Sequence, residues 1–155
     1  MTSKQLAFQD QIPGNHCFGC GPSNPQGLQI KSFWQGDDEA LCRFLPAAHH
    51  CSGPKRYLNG GITSTLMDCH SVCTATAKAY QLAGRHIGRG ELITYVTGNM
   101  DISYCAPVPI DVEVRVVARI TEVYPRKMVV DCDLWSGDTL CATGKVLAVK
   151  APQNW

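Results

Sequence analysis

The sequence predicts an α+β domain in which an antiparallel sheet of about five to six strands wraps around one long central helix. Three observations carry this. From Tyr57 to Ala77 the chain is almost uncharged and has no proline, and it is too long for a strand. After Glu91 the apolar period changes to two and stays there. Before the uncharged run lie two shorter alternating segments separated by a turn. Two strands, one helix and four strands describe a sheet covering a single helix.

The first 27 residues are polar and turn-rich, with Pro13-Gly14 and the stretch Gly19 to Gly27, and read as an irregular arm. Leu28, Ile30 and Trp34 begin an alternating segment. Ala40, Cys42 and Phe44 continue it after Gly36-Asp37-Asp38, as in a hairpin. Pro46 to Lys55 is a loop. The helix starts near Gly60 and stops around Ala83-Gly84, glycine being a usual stop signal. Val96 to Tyr104 forms the next strand, ended by Pro107 and Pro109. Val112 to Ile120, Met128 to Leu134 and Leu140 to Val149 follow. The expected division is an arm over 1–27, a domain over 28–150 and a tail over 151–155.

Composition excludes several classes. At 155 residues the chain is one domain, able to bury a real core. A net charge of +1 gives no case for a nucleic-acid partner, and the apolar stretches fall short of a membrane span. The start, Met1-Thr-Ser-Lys-Gln, has no signal-peptide core. Nine cysteines without secretory context read as reduced thiols in a cytoplasmic protein. Charged residues are only 17%, so part of the surface is expected to be covered by another subunit.

Asp68 is the one acid in the uncharged run, among Leu66, Met67, Cys69, Val72 and Cys73. A helix apolar on most sides is buried, and a lone buried carboxylate costs stability unless it is paired or hydrogen-bonded. Chains tolerate such a cost mainly at sites of chemistry. The alternative is a core acid satisfied by Ser64, Thr65 or the backbone. Gly60-Gly61 presents N–H groups with no Cβ to block a ligand, or simply allows close packing. Asn59 is placed to cap the helix. His70 lies two residues after Asp68 and so points to another side of the helix, where packing or hydrogen bonding is expected.

The segment Asn59-Gly60-Gly61-Ile62-Thr63-Ser64-Thr65-Leu66-Met67-Asp68 resembles a His-Gly-Gly-x-Ile-x-Thr-x-x-Asp motif of the hotdog-fold thioesterases, specifically the PaaI-like acyl-CoA thioesterases. Two further stretches resemble the same superfamily: Cys17-Phe-Gly-Cys-Gly-Pro-Ser-Asn-Pro-Gln-Gly-Leu28 before the first strand, and Thr97-Gly-Asn-Met-Asp-Ile-Ser-Tyr104 with Pro107-Val-Pro109 after it. The resemblance spans roughly residues 15 to 150. It implies a hotdog fold and an acyl-CoA thioesterase, with Asp68 as catalytic acid or base, the Gly60 N–H polarising the carbonyl, and Thr97 assisting the acid. Asn59 stands where the branch has histidine and does not titrate near neutrality as histidine does. Cys105-Ala106 lies where relatives carry a basic residue that holds coenzyme A, which leaves phosphate contacts to Arg126 and Lys127.

The candidate catalytic residues are thus Asp68, Gly60, Asn59 and Thr97, and the candidate substrate-binding residues are Gly61, Ser103, Arg126 and Lys127. Coenzyme A enters as part of the substrate, and the reaction requires no cofactor or metal. Tyr57, Leu58, Phe33 and Trp34 are candidates for an acyl pocket or plain core. Eight residues separate Gly60 from Asp68, about 12 Å along a helix. One carbonyl cannot touch both within one chain. A homodimer or tetramer with the active site at the subunit interface is therefore expected, built across an antiparallel helix contact. Two other readings remain open. One is a hotdog protein that binds acyl thioesters or a hydrophobic metabolite without hydrolysis. The other is a hydratase or dehydratase, against which Asn59 argues. Cys17 and Cys20 have the spacing of half a zinc knuckle, for which His49-His50-Cys51 is the possible other half.

Overall fold

The computed structural model describes residues 3–155. Its strands are β1 (Ser32–Trp34), β2 (Glu39–Phe44), β3 (Tyr95–Tyr104), β4 (Val114–Val123), β5 (Lys127–Ser136) and β6 (Thr139–Lys150), with the single α-helix α1 (Gly60–Leu82) between β2 and β3. The strands form one antiparallel sheet in the order β1-β2-β4-β5-β6-β3. The expected succession of hairpin, helix and four strands is present. No helix among the described residues is long and apolar enough to cross a membrane.

Local chemistry sets both ends of α1. The Asn59 side-chain oxygen accepts from the N–H groups of Gly61 at 2.7 Å and Ile62 at 3.2 Å, satisfying two of the donors that a helix start leaves free. At the other end Gly84 takes a left-handed φ of 67°, and the Arg85 N–H reaches back to the Tyr80 carbonyl at 3.0 Å. Leu66, Met67, Ala75 and Ala77 of α1 are buried against Val116, Val130, Cys132 and Val146 of the sheet in one continuous core. Gly144 on β6 marks the close approach, since a Cβ there would stand 3.0 Å from the Met67 methyl.

Two expectations need correction. The first strand begins at Ser32, not Leu28. Gln29 adopts a left-handed φ of 58°, and its side-chain amide donates to the Gly21 and Asn24 carbonyls. A residue tied back in that conformation cannot continue a strand. The fourth strand starts at Val114, with Val112 left exposed before it.

The arm also fills the core. Phe8 and Gln9 are buried, and Phe8 packs on Trp34 with ring centroids 5.0 Å apart. Gln9 and Ser32 exchange bonds: the Gln9 amide donates to the Ser32 hydroxyl, and the Ser32 N–H donates to the Gln9 oxygen, both at 2.9 Å. His70 completes this network. Its Nε2 faces the Ala40 carbonyl at 3.1 Å and must donate, which makes Nδ1 the acceptor of the Ser32 hydroxyl at 2.7 Å. Burial lowers the His70 pKa to about 4, so the ring is neutral. It packs and hydrogen-bonds away from Asp68, as its position on the helix indicates.

Because the Ser32 hydroxyl serves two buried partners, Ser32→Ala should cost about 1–3 kcal/mol by leaving the Gln9 amide and His70 Nδ1 unsatisfied. Urea denaturation monitored by circular dichroism measures it, and an unshifted midpoint would refute this role for the network.

Candidate active site

Strand β3 lies antiparallel along α1 and is tied to it at three levels. The Tyr95 N–H donates to the Thr76 hydroxyl at 3.2 Å, the Thr97 hydroxyl donates to the Asp68 carboxylate, and the Tyr104 hydroxyl donates to the Gly60 carbonyl at 2.9 Å. Thr97, Met100, Ile102 and Tyr104 pair with Ala148, Val146, Gly144 and Ala142, the β6 residues that face the helix. A bulge between Thr97 and Asn99 keeps Thr97 on that side. Gly98 occupies the bulge, where a Cβ would strike the Val149 side chain at 2.5 Å.

Asp68 is half-buried, not enclosed as the uncharged run suggests. Beside the β3 residues Tyr95, Val96 and Thr97, it faces a cleft of about 530 Å³. Val72, Leu92, Ile93, Tyr95 and Trp155 give this cleft an apolar lining, and Asp68 and Thr97 stand on its wall. Thr97 occupies Oδ1 of the carboxylate. At the helix start Gly60 is exposed, and its N–H donates to no group among the described residues. The two ends of the expected machinery are thus held by opposite ends of β3, Asp68 by Thr97 and Gly60 by Tyr104.

The remaining candidates separate. The Gly61 N–H is consumed by Asn59, whose side-chain oxygen is in turn fully engaged as a cap. Ser103 pairs with Thr143 and lines a hollow with Asp101, Asp133 and Lys145 on the face of the sheet away from the helix. Arg126 and Lys127 are exposed at the β4–β5 turn. That turn lies two strands from β3 at the Thr97 end of the sheet, with Lys127 over the Tyr124 ring at 5.1 Å. Of the proposed acyl-pocket residues, Leu58 and Trp34 belong to the core, and none of the four lines the Asp68 cleft.

One constellation beside Asp68 has a different composition from that expected. Among the described residues the Sγ atoms of Cys17, Cys20 and Cys69 lie within 4.8 Å of one another, and Cys73 Sγ is 3.7 Å from that of Cys20. The second half of this cluster comes from the helix and not from His49-His50-Cys51. His50 instead accepts the Ala47 N–H at 3.0 Å and stacks near Phe44. Cys17 is lowered to about 7, first by the Cys69 thiol and then, against desolvation, by the backbone N–H groups of Cys20 and Gly19. Cys20 is held far below the ordinary thiol value by Cys69 first and Cys73 second. Two signals were present in the sequence but carried no weight alone: cysteines at an i, i+4 spacing just after the acid, and a tyrosine on the helix-facing parity of β3.

Comparison with known proteins agrees with this fold. The family model for the thioesterase superfamily matches residues 56–143. A thioesterase superfamily protein from Shewanella loihica is 32% identical, with a TM-score of 0.68, covering 90% of this chain and 96% of that one. A conserved protein from Pseudomonas aeruginosa is 26% identical over 80% of this chain and 90% of its own, with a TM-score of 0.64. The PaaI protein of the Escherichia coli phenylacetic acid degradation operon shares the fold at 13% identity and a TM-score of 0.64, with 81% of each chain covered. No curated protein sequence matches the chain. One long helix against a six-stranded antiparallel sheet, the match over its central residues and the likeness across nearly the whole length agree: the chain is a hotdog-fold member of the thioesterase superfamily.

Proposed function

We propose that the chain is an acyl-CoA thioesterase acting as a homodimer or higher oligomer, with Asp68 of one protomer and the Gly60 N–H of its partner meeting at each active site. The observation that carries this reading is the half-buried Asp68, held by Thr97 on the wall of an apolar-lined cleft, while an uncapped N–H stands at the start of the same helix. Thioester hydrolysis needs a carboxylate and an oxyanion donor. Asp68, with Oδ2 free of Thr97, attacks the acyl carbon or activates water. The Gly60 N–H and the helix dipole stabilise the developing oxyanion, and thiolate leaves as the thiol. Clefts of a few hundred Å³ with apolar walls and few polar groups suit small acyl ligands.

The oligomer rests on two constraints. Asp68 and Gly60 are about 12 Å apart along one helix, beyond the reach of a single carbonyl. The ten-residue edge strand β3 leaves one side unpaired within the chain, and such edges invite pairing. Its exposed Thr97, Asn99 and Ser103 are polar but its only charge is Asp101, so little repels a second copy. Arg126 and Lys127, exposed at the Thr97 end of the sheet, are the cations this reading assigns to the coenzyme A phosphates. A reducing compartment such as the cytoplasm suits the free thiols.

Ligand binding without hydrolysis is the second reading. It is favoured by Asn59, whose oxygen is committed to two backbone donors and which brings no titrating group to the site.

Turnover of a panel of acyl-CoAs, with products identified by mass spectrometry, tests both. Asp68→Asn should lower kcat by roughly 10²–10⁴-fold. Unchanged hydrolysis in that variant would remove Asp68 from the mechanism, and tight binding without wild-type turnover would select the second reading. Thr97→Ala should lower kcat about tenfold with KM little changed, the loss of one positioning hydrogen bond, and Thr97→Ser should recover most of it.

The shared site has its own test. Gly60→Pro removes the N–H while suiting the first helical position. Asp68→Asn and Gly60→Pro homodimers should each be inactive. Subunit exchange between them should restore about a quarter of wild-type activity, because half the dimers are mixed and each holds one intact site. No recovery after verified exchange would place both groups in one protomer or remove one of them.

A further inference from the structure

The thiols beside Asp68 form a second centre that owes nothing to thioester chemistry. We propose that Cys17, Cys20, Cys69 and Cys73 bind one zinc ion as a four-thiolate structural site, clipping the N-terminal arm onto α1.

The sequence supplies two pairs with different spacings. Cys17-Phe-Gly-Cys20 turns tightly, closed by the Gly21 N–H to the Cys17 carbonyl at 2.8 Å. Cys69 and Cys73 are one helical turn apart and share a face of α1. The fold sets one pair on the other. Cys17 and Cys69 have their sulfurs 3.7 Å apart, and so have Cys20 and Cys73. Tetrahedral zinc holds thiolates at about 2.3 Å, which places sulfurs roughly 3.8 Å from each other along an edge. A disulfide would need about 2.05 Å. Each arm cysteine is thus already one tetrahedral edge from its helix partner.

The surroundings are shaped for this approach. A Cβ at Gly19 would stand 2.3 Å from Cys69 Sγ and 2.9 Å from the Thr65 methyl, so the turn can reach the helix only where residue 19 has no side chain. A Cβ at Gly21 would strike the Cys17 nitrogen at 2.3 Å. The Phe18 carbonyl accepts from Leu28 at 2.8 Å and that of Gly19 from Ile30 at 3.1 Å, which fixes the knuckle from behind. The Asn15 side chain donates to Cys20 Sγ at 3.9 Å, an outer contact of the kind that orients metal-bound sulfur. Cys20, Cys69 and Cys73 are shielded from solvent, and Cys17 stands at the rim, leaving an entry path.

Binding exchanges four thiol protons for one Zn²⁺, with no change of oxidation state, leaving a closed site of net charge −2. Four protein ligands leave no position for water, so the ion is structural and not hydrolytic. Soft thiolates in a tetrahedron select zinc over the hard cations. The site clamps residues 17–20 against the helix turn that carries Asp68, along one side of the cleft.

The full-length, untagged chain, purified without chelator, should contain one zinc per chain by plasma mass spectrometry. Cobalt replacing the zinc should give the visible bands of a tetrahedral thiolate site. Cys17→Ser/Cys20→Ser and Cys69→Ser/Cys73→Ser should each lose the metal, while Cys105→Ser, exposed and outside the cluster, should retain it. Stripping the wild type and titrating zinc against a competing dye should return one site per chain, independent of how any variant folds. A wild type that carries no zinc and takes up none overturns the proposal. So does undiminished zinc in the Cys69→Ser/Cys73→Ser protein. Intact mass showing four hydrogens lost from the metal-free protein as isolated would also overturn it, assigning the thiols to two disulfides.

Discussion

Burial of a 23-residue helix with only two formally charged side chains, Asp68 and Lys78, is the constraint on which the molecule depends. Such a helix does not dissolve alone, and its stability comes from packing and not from propensity. The sheet supplies the cover on one side, with Gly144 cut back to admit Met67. Lys78 escapes by pairing with Asp38 in the β1–β2 turn at 2.6 Å. The arm supplies cover on another side through Phe8, Gln9 and the cysteine turn. What remains partly uncovered is the strip holding Gly60, Ser64, Thr65, Asp68 and Val72, and that strip carries the candidate site.

Polar groups inside this packing are treated in two ways. His70 is enclosed by Ser32, Gln9 and the Ala40 carbonyl, a network in which every ring nitrogen has one role. It specifies how the arm, the hairpin and the helix meet. Among the described residues Asp68 is given a single side-chain partner, Thr97, and left one oxygen open. The contrast is between a histidine with both ring nitrogens satisfied and, two residues away, a carboxylate with one oxygen open, the kind of group that marks a candidate site.

The edge position of β3 joins the fold to the candidate site. A strand in the interior of the sheet would have both sides paired. At the edge it holds the helix by Thr97 and Tyr104 on one face and keeps a free rim of backbone donors and acceptors. The thioesterase superfamily match agrees with the fold, and Asn59 caps the helix start.

Much of this was present in the residues themselves. The uncharged run, the cap at Asn59, the stop at Gly84 and the period-two strands are local patterns, and they set the order and type of every element. The isolation of Asp68 and the glycines ahead of it marked the candidate site. The tertiary structure decided what depends on distant contacts. Leu28 to Lys31 follow an alternating pattern, yet the Gln29 side chain, anchored to Gly21 and Asn24, takes them out of the sheet. Ser103 sits in the same strand as Thr97, but pleating and a bulge send it to the opposite face. The uncharged surroundings of Asp68 in sequence imply enclosure, whereas the fold leaves it half-buried beside a cleft. Cys17 and Cys69 are 52 residues apart, and no spacing rule brings a loop pair onto a helix pair; only the path of the arm across α1 does. Sequence periodicity determines which side of an element is apolar, while the choice of what covers each side, and what is left bare, is made by packing.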